Sequence, residues 1–128
     1  MTHAIDRNPS YRRLIEGYLA LPVTASSEER WRWLMAAHVV GQRRLDTHVD
    51  SHLRMLALAW ATRDGGEMAG QLWRLALVPL GHALGRLPAG NVGRATVPAL
   101  RAMTPPDDVL ALVHHAASQP GDSYASGG

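Results

Sequence analysis

The chain has 128 residues, enough for one domain with its own core, and its formal net charge at pH 7 is only +2. It contains no cysteine, which excludes disulfides, thiolate metal ligands and a cysteine nucleophile. All 13 basic residues are arginines, so Schiff-base catalysis by a lysine is excluded as well.

The same composition limits the partners of the protein. The arginines occur as scattered pairs among acidic residues, without a basic helix or zinc-finger spacing, so we expect no nucleic-acid binding. No apolar run approaches the ~20 residues of a membrane span. The N-terminal sequence lacks the apolar stretch of a secretion signal. We therefore expect a cytoplasmic protein that does not bind membranes.

Helical patterns begin close to the N-terminus. The first helix is predicted from about Ser10 to Ala20, because apolar residues recur there at helical spacing between two prolines. The second helix is predicted to start at Ser26 or Ser27, both good N-cap residues, and to run to about Gln42. A short connection then leads to the next helical pattern.

Two longer helices follow. The third is predicted from about Leu45 to Thr62, where the sequence Asp64-Gly65-Gly66 is typical of a turn. The fourth is predicted from about Glu67 to Leu84, with a kink at Pro79, because proline removes one backbone hydrogen bond.

The remainder of the chain is less regular. A Gly- and Pro-rich stretch, GRLPAGNVGRATVPALRAMTPP, precedes a short fifth helix that we expect Thr104 to cap and Pro105-Pro106-Asp107-Asp108 to open. The predicted fold is all-α: residues 1–119 form a single domain, a small antiparallel bundle of four main helices with an irregular C-terminal wrap and the fifth helix. Residues 120–128 are predicted to be a disordered tail.

The third helix carries a histidine pair, His48 and His52, in the sequence THVDSHLRML. Residues four apart lie on the same helical face one turn from each other, so two imidazoles at this spacing can reach one metal ion. The pair alone is weak evidence, since most single histidines on helices are surface residues or hydrogen-bonded core groups.

Antiparallel packing of neighbouring helices brings further histidines to the pair. A turn after the second helix places His38 level with about position 49, and a turn near Gly65 places His82 level with His48. We therefore predict a histidine-dominated metal site formed by His38, His48 and His52, completed by His82 or Glu67.

A line of polar residues runs along the otherwise apolar fourth helix. Glu67, Gln71 and Arg74 follow one another at steps of three and four, and Gln42 ends a similar stripe on the second helix. Because buried polar groups need partners, we expect these side chains to face a polar interior and to contact the metal or a ligand.

These motifs also carry a family resemblance. The segments AAHVVGQ, THVDSHLRML and GEMAGQLWRLALVPLGHALGRLPAGNVGRATV resemble a small bacterial family known only as domain of unknown function 3703, over roughly residues 28–110. The resemblance assigns no activity. It implies that functional positions of the family fall on His38, Gln42, His48, His52, Glu67, Gln71, Arg74 and Asn91, with a less close match at His82 and Arg94.

Three functional hypotheses follow. The first is a protein that binds copper, zinc or iron, either for metal handling or as a small metalloenzyme. The second is a metal-free lyase, isomerase or cyclase, or a small-molecule binder, with His48, His52 and Glu67 as acid–base groups and Arg74 on an anionic substrate. The third is an interaction module, such as a homodimer with the polar stripe at its interface. The sequence leaves open whether the protein is an enzyme.

Overall fold

The computed structural model describes residues 8–85, 91–94 and 103–118, and within these ranges the chain is helical and has no strand. This confirms the predicted all-α fold. The helices, in chain order, are α1 (Pro9–Leu19), α2 (Ser27–Gly41), α3 (Leu45–Ala61), α4 (Gly65–Leu84) and α5 (Asp107–Ser118).

Side-chain caps fix where the helices begin. The Ser26 hydroxyl accepts a hydrogen bond from the backbone N–H of Glu29, and an Asp64 carboxylate oxygen accepts one from the N–H of Glu67. The cap at Asp64 starts α4 at Gly65, two residues before the predicted start. An aspartate in the cap position satisfies an otherwise unpaired N–H group, so two glycines can occupy the first turn.

The later helix ends differ little from the prediction. α3 ends at Ala61, and the turn to α4 contains Arg63 in a left-handed conformation, with φ of 56°. α4 continues through Pro79 to Leu84. α5 begins at Asp107, three residues after Thr104, so Thr104 does not cap it. Most of the predicted wrap and the whole predicted tail fall on residues 86–90, 95–102 and 119–128, outside the described ranges.

The apolar core lies among α1, α2, α3 and α5. α2 packs against α1, α3 and α5, and α1 also contacts α5. The largest wholly buried side chains of this core are those of Tyr11, Leu14, Leu34, Met55 and Val109. The Tyr11 hydroxyl donates a hydrogen bond to Asp50, which also accepts from Arg54, so α1 is attached to the side of α3 away from the histidine pair.

Helix α4 packs mainly against α3. It buries several polar side chains and exposes several apolar ones. Its buried residues are Glu67, Gln71, Arg74 and Val78, whereas Leu72, Trp73, Leu80 and Leu84 are each more than half exposed. Packing therefore buries the polar stripe together with Val78 and leaves these four large apolar side chains mostly exposed. None of the described helices is both long and apolar enough to cross a membrane. The homodimer suggested by the sequence stays a prediction.

Candidate metal centre

Three histidines from two helices converge inside the bundle. His38 comes from the last turn of α2, and His48 and His52 come from the first half of α3; none is more than 5% exposed. The Nε2 atom of His38 lies 3.1 Å from Nε2 of His52 and 3.1 Å from Nε2 of His48. One nitrogen from each ring can therefore point to a common centre.

The outward nitrogens of two of these rings are held by hydrogen-bond acceptors. Nδ1 of His38 lies 2.7 Å from the backbone carbonyl oxygen of Asn91, which can only accept, so this Nδ1 carries the proton. Nδ1 of His52 lies 2.6 Å from Oε1 of Gln71. The Gln71 amide nitrogen donates to the Gly93 carbonyl oxygen at 2.9 Å and to a Glu67 carboxylate oxygen at 3.2 Å, which fixes its Oε1 as the acceptor for His52.

These partners determine which form of each ring faces the centre. A neutral imidazole carries one N–H, so protons on Nδ1 leave His38 and His52 with bare Nε2 atoms. The two lone pairs then face each other across 3.1 Å. Lone pairs at this distance repel, and a cation between them replaces the repulsion by attraction. The arrangement is thus suited to hold a positive ion.

His82 occupies a different position from the other three histidines. Its Nε2 lies 2.9 Å from Nδ1 of His48, on the outer side of that ring. His82 is half-buried in the last turn of α4. The structure therefore brings all four predicted histidines together, with His82 behind His48 and three rings around the centre.

Burial also sets the protonation of the three central rings. Desolvation, followed by the charges of His52 and His48, holds the pKa of His38 well below its usual 6.5. Desolvation is also the largest effect on the other two rings, lowering the pKa of His48 to about 3 and that of His52 to about 4. All three rings are neutral at pH 7, the form that binds metal ions.

Behind Gln71, a chain of polar contacts leads to the protein surface. One Glu67 oxygen accepts from the Gln71 amide, and the other accepts from Nε of Arg94 at 2.8 Å. The Arg94 guanidinium also lies 4.3 Å from the ring centroid of Trp31, within range of a cation–π contact. Both oxygens of Glu67 are thus engaged away from the centre, and its carboxylate orients Gln71.

The segment 91–94 contacts both α2, at His38, and α4, at Gln71 and Glu67. The Asn91 side chain accepts from the backbone N–H of Gly93 at 2.9 Å, which folds the segment back on itself. Gly93 has a φ of 85°, and a Cβ atom there would lie 2.7 Å from Cδ2 of His38. Glycine is needed at this position both for its conformation and for the close approach to the His38 ring.

A family model described as "Protein of unknown function (DUF3703)" matches residues 6–113. The chain belongs to this family. No curated protein and no solved structure matches the chain. Family membership agrees with the resemblance found in the motifs but supplies no activity, so function has to be argued from the site itself.

Of the other predicted site residues of this family member, Arg74 and Asn91 lie near the three rings, whereas no described contact links Gln42 to them. Gln42 is buried at the end of α2, and Arg74 is buried on α4, where its charge lowers the pKa of both His38 and His52. Asn91 contributes its backbone carbonyl to His38. Sequence reasoning missed the contact between Gly93 and His38, although the glycine of the GNVG segment was visible as a signal.

Replacing Gly93 by alanine should weaken metal binding. Its methyl group would push on the His38 ring, and we expect a loss of affinity of roughly tenfold or more, as for other changes behind a metal ligand. Gly85→Ala is a matched control, because Gly85 also has positive φ, of 65°, but a methyl group there would have no neighbour within 4 Å. Gly85→Ala should lose roughly 1 to 2 kcal/mol of stability from backbone strain, and Gly93→Ala should lose at least as much because its methyl group also meets the His38 ring. Thermal unfolding and competitive metal titration separate the two effects; equal metal affinities in the two variants would contradict the expectation.

Proposed function

We propose that this protein binds a single transition metal ion through the Nε2 atoms of His38, His48 and His52. The observation that carries the proposal is the pair of bare nitrogens of His38 and His52, 3.1 Å apart and both fixed by acceptors on the far side of their rings. At neutral pH their low pKa values disfavour a proton as the cation between them.

The spacing of the nitrogens fits a small metal ion. Zinc–imidazole bonds of about 2.0–2.1 Å in a tetrahedral arrangement place neighbouring nitrogens about 3.3 Å apart. A planar site with three ligands would place them at about 3.5 Å. The two observed separations, both measured from Nε2 of His38, are 3.1 Å and lie close to both values. This spacing supports a mononuclear site with three imidazole ligands.

The donor set narrows the choice of metal. Imidazole suits zinc, copper, iron and nickel, but iron sites with open positions commonly combine two histidines with a carboxylate. Here the described group of potential ligands contains three histidines and no carboxylate, and the oxygens of Glu67 bind Gln71 and Arg94. We therefore favour zinc or copper over iron.

The residues around the rings would preorganise the metal site. The Asn91 carbonyl and the Gln71 amide fix the orientation of His38 and His52 and make their Nε2 atoms more basic, as outer partners of metal-bound histidines commonly do. Such a centre serves metal handling or, with an exchangeable fourth ligand, metalloenzyme chemistry.

Elemental analysis of protein purified without chelator tests the proposal. We expect about one equivalent of zinc or copper per chain, a stoichiometry typical of a mononuclear site. After removal of this metal, titration with Zn²⁺ or with Cu²⁺ should restore the same stoichiometry. Protein that contains no metal and binds neither ion would overturn the proposal and favour the metal-free acid–base alternative.

A further inference from the structure

Helix α4 exposes an apolar face that carries no charge. Its only acidic residue, Glu67, and its only arginine, Arg74, both lie on its buried side. The large apolar side chains on the outer face are each between 55% and 62% exposed: Leu72, Trp73, Leu80 and Leu84. A surface helix normally carries its charged residues on the outer face. An exposed apolar face of this kind is typical of a surface that contacts another protein.

The residues of this face are arranged symmetrically about Ala76. Ala69 lies seven residues before it and Ala83 seven residues after it. Leu72 and Leu80 lie four residues before and after it, and all five residues are exposed. Steps of three, four and seven keep residues on one face of a helix. The exposed stripe therefore has the same order of small and large residues from either end of the helix.

We infer that a second copy of this chain packs against this face, with the two α4 helices antiparallel about a two-fold axis at Ala76. In a two-fold interface the same patch of both copies meets itself, so its residues have to match across the axis. Here Leu72 meets the partner's Leu80, and Ala69 meets the partner's Ala83. The small alanines let the two helices approach closely. The interface lies opposite the polar stripe and does not depend on the metal site.

The area of this face is sufficient for a specific contact. A helix of 20 residues is about 30 Å long and about 10–12 Å across, so the outer half of α4 has a surface of roughly 500 Å². On the neighbouring helix α3, Leu53 and Trp60 add apolar area, since they are 51% and 71% exposed. Two copies can therefore bury about 1,000 Å² or more in total, the size at which specific interfaces begin. Because the face carries no charge, the copies meet without like-charge repulsion.

Cysteine cross-linking tests the arrangement, because the natural chain contains no cysteine. Under mild oxidation Ala76→Cys should form a disulfide-linked dimer, since the axis brings its two thiols together. Ala69→Cys alone should stay unlinked, because its two thiols would lie about 20 Å apart along the helices. An equal mixture of Ala69→Cys and Ala83→Cys should give a linked dimer of the two variants. Ala111→Cys, at an exposed position of α5, is the control for random collision.

Sedimentation velocity at rising protein concentration measures the association itself. The wild type should change from monomer to dimer. Ala76→Glu places two carboxylates at the axis and should weaken the association at least roughly tenfold, because like charges would face each other in an apolar contact. Ala111→Glu adds the same charge on α5, which packs against α1 and α2, and should associate as the wild type does. Circular dichroism checks that both variants keep their helices.

Three results would overturn the inference. The first is a wild type that stays monomeric up to the highest concentration measured. The second is a dimer that persists in Ala76→Glu as it does in Ala111→Glu, since the contact would then lie on another face. The third is cross-linking of Ala69→Cys alone as fast as that of Ala76→Cys, which an antiparallel pair with its axis at Ala76 does not allow.

Discussion

Replacing His52 by alanine should weaken Zn²⁺ or Cu²⁺ binding by more than about a hundredfold. Loss of a partner behind a metal-bound histidine commonly lowers affinity by about 10- to 100-fold, and loss of the ligand itself should exceed that. The substitution removes one of the two bare Nε2 atoms that lie 3.1 Å apart, so only His38 and His48 remain as ligands. Competitive titration against a chromophoric chelator measures the effect.

His114→Ala is the control for this experiment, because His114 is exposed on α5 and takes no part in the cluster. It should bind metal as the wild type does. Circular dichroism checks that the His52→Ala variant keeps its helices. If the folded His52→Ala variant bound metal as tightly as the His114→Ala variant, the three central histidines would not be the ligands.

The metal-free protein should lose stability steeply as the pH falls below about 6.5. In the folded chain, burial keeps the pKa of His48 at about 3 and that of His52 at about 4, and holds the pKa of His38 low as well. The unfolded chain therefore binds protons that the folded chain does not. Stability is unaffected by these groups above the unfolded pKa and falls through the acid range until the folded pKa values are reached.

Each such histidine contributes at most about 1.4 kcal/mol per pH unit, so the slope for the three rises with falling pH toward roughly 4 kcal/mol per pH unit near pH 5. Urea unfolding of chelator-treated protein between about pH 7 and pH 5 measures this slope, above the range in which most carboxylates titrate. In the His52→Ala variant one histidine fewer takes up a proton on unfolding, so the slope of the free energy of unfolding against pH should be smaller by up to about 1.4 kcal/mol per pH unit. A stability that stayed constant from pH 7 to pH 5 would mean that the rings are not held neutral by burial.

Local sequence signals were sufficient to predict the fold class and most helix boundaries. The cap at Ser26 marks a helix start because it satisfies a backbone group locally. Asp64-Gly65-Gly66 was predicted as a turn, and in the structure Asp64 caps the next helix, which therefore begins two residues early. The convergence of His38, His48 and His82 could also be predicted, since short turns force neighbouring helices to run antiparallel in a limited range of registers.

The roles of individual atoms could not be predicted in this way. Glu67 was a plausible metal ligand from its place on the polar stripe, but the structure directs its oxygens to Gln71 and Arg94. Arg94 lies beyond the end of α4, and its position depends on how the chain returns to Trp31. Helical periodicity carries no information about such a return.

The sequence by itself determined the helices, the polar stripe on α4 and the set of histidines that share one end of the bundle. Only the tertiary structure decided that three Nε2 atoms face one another and that His82 stands behind His48. The physical reason is that ring orientation is set by the group that accepts the Nδ1 proton. For His38 this group is a backbone carbonyl, that of Asn91, whose direction depends on the path of the chain and not on the residue type.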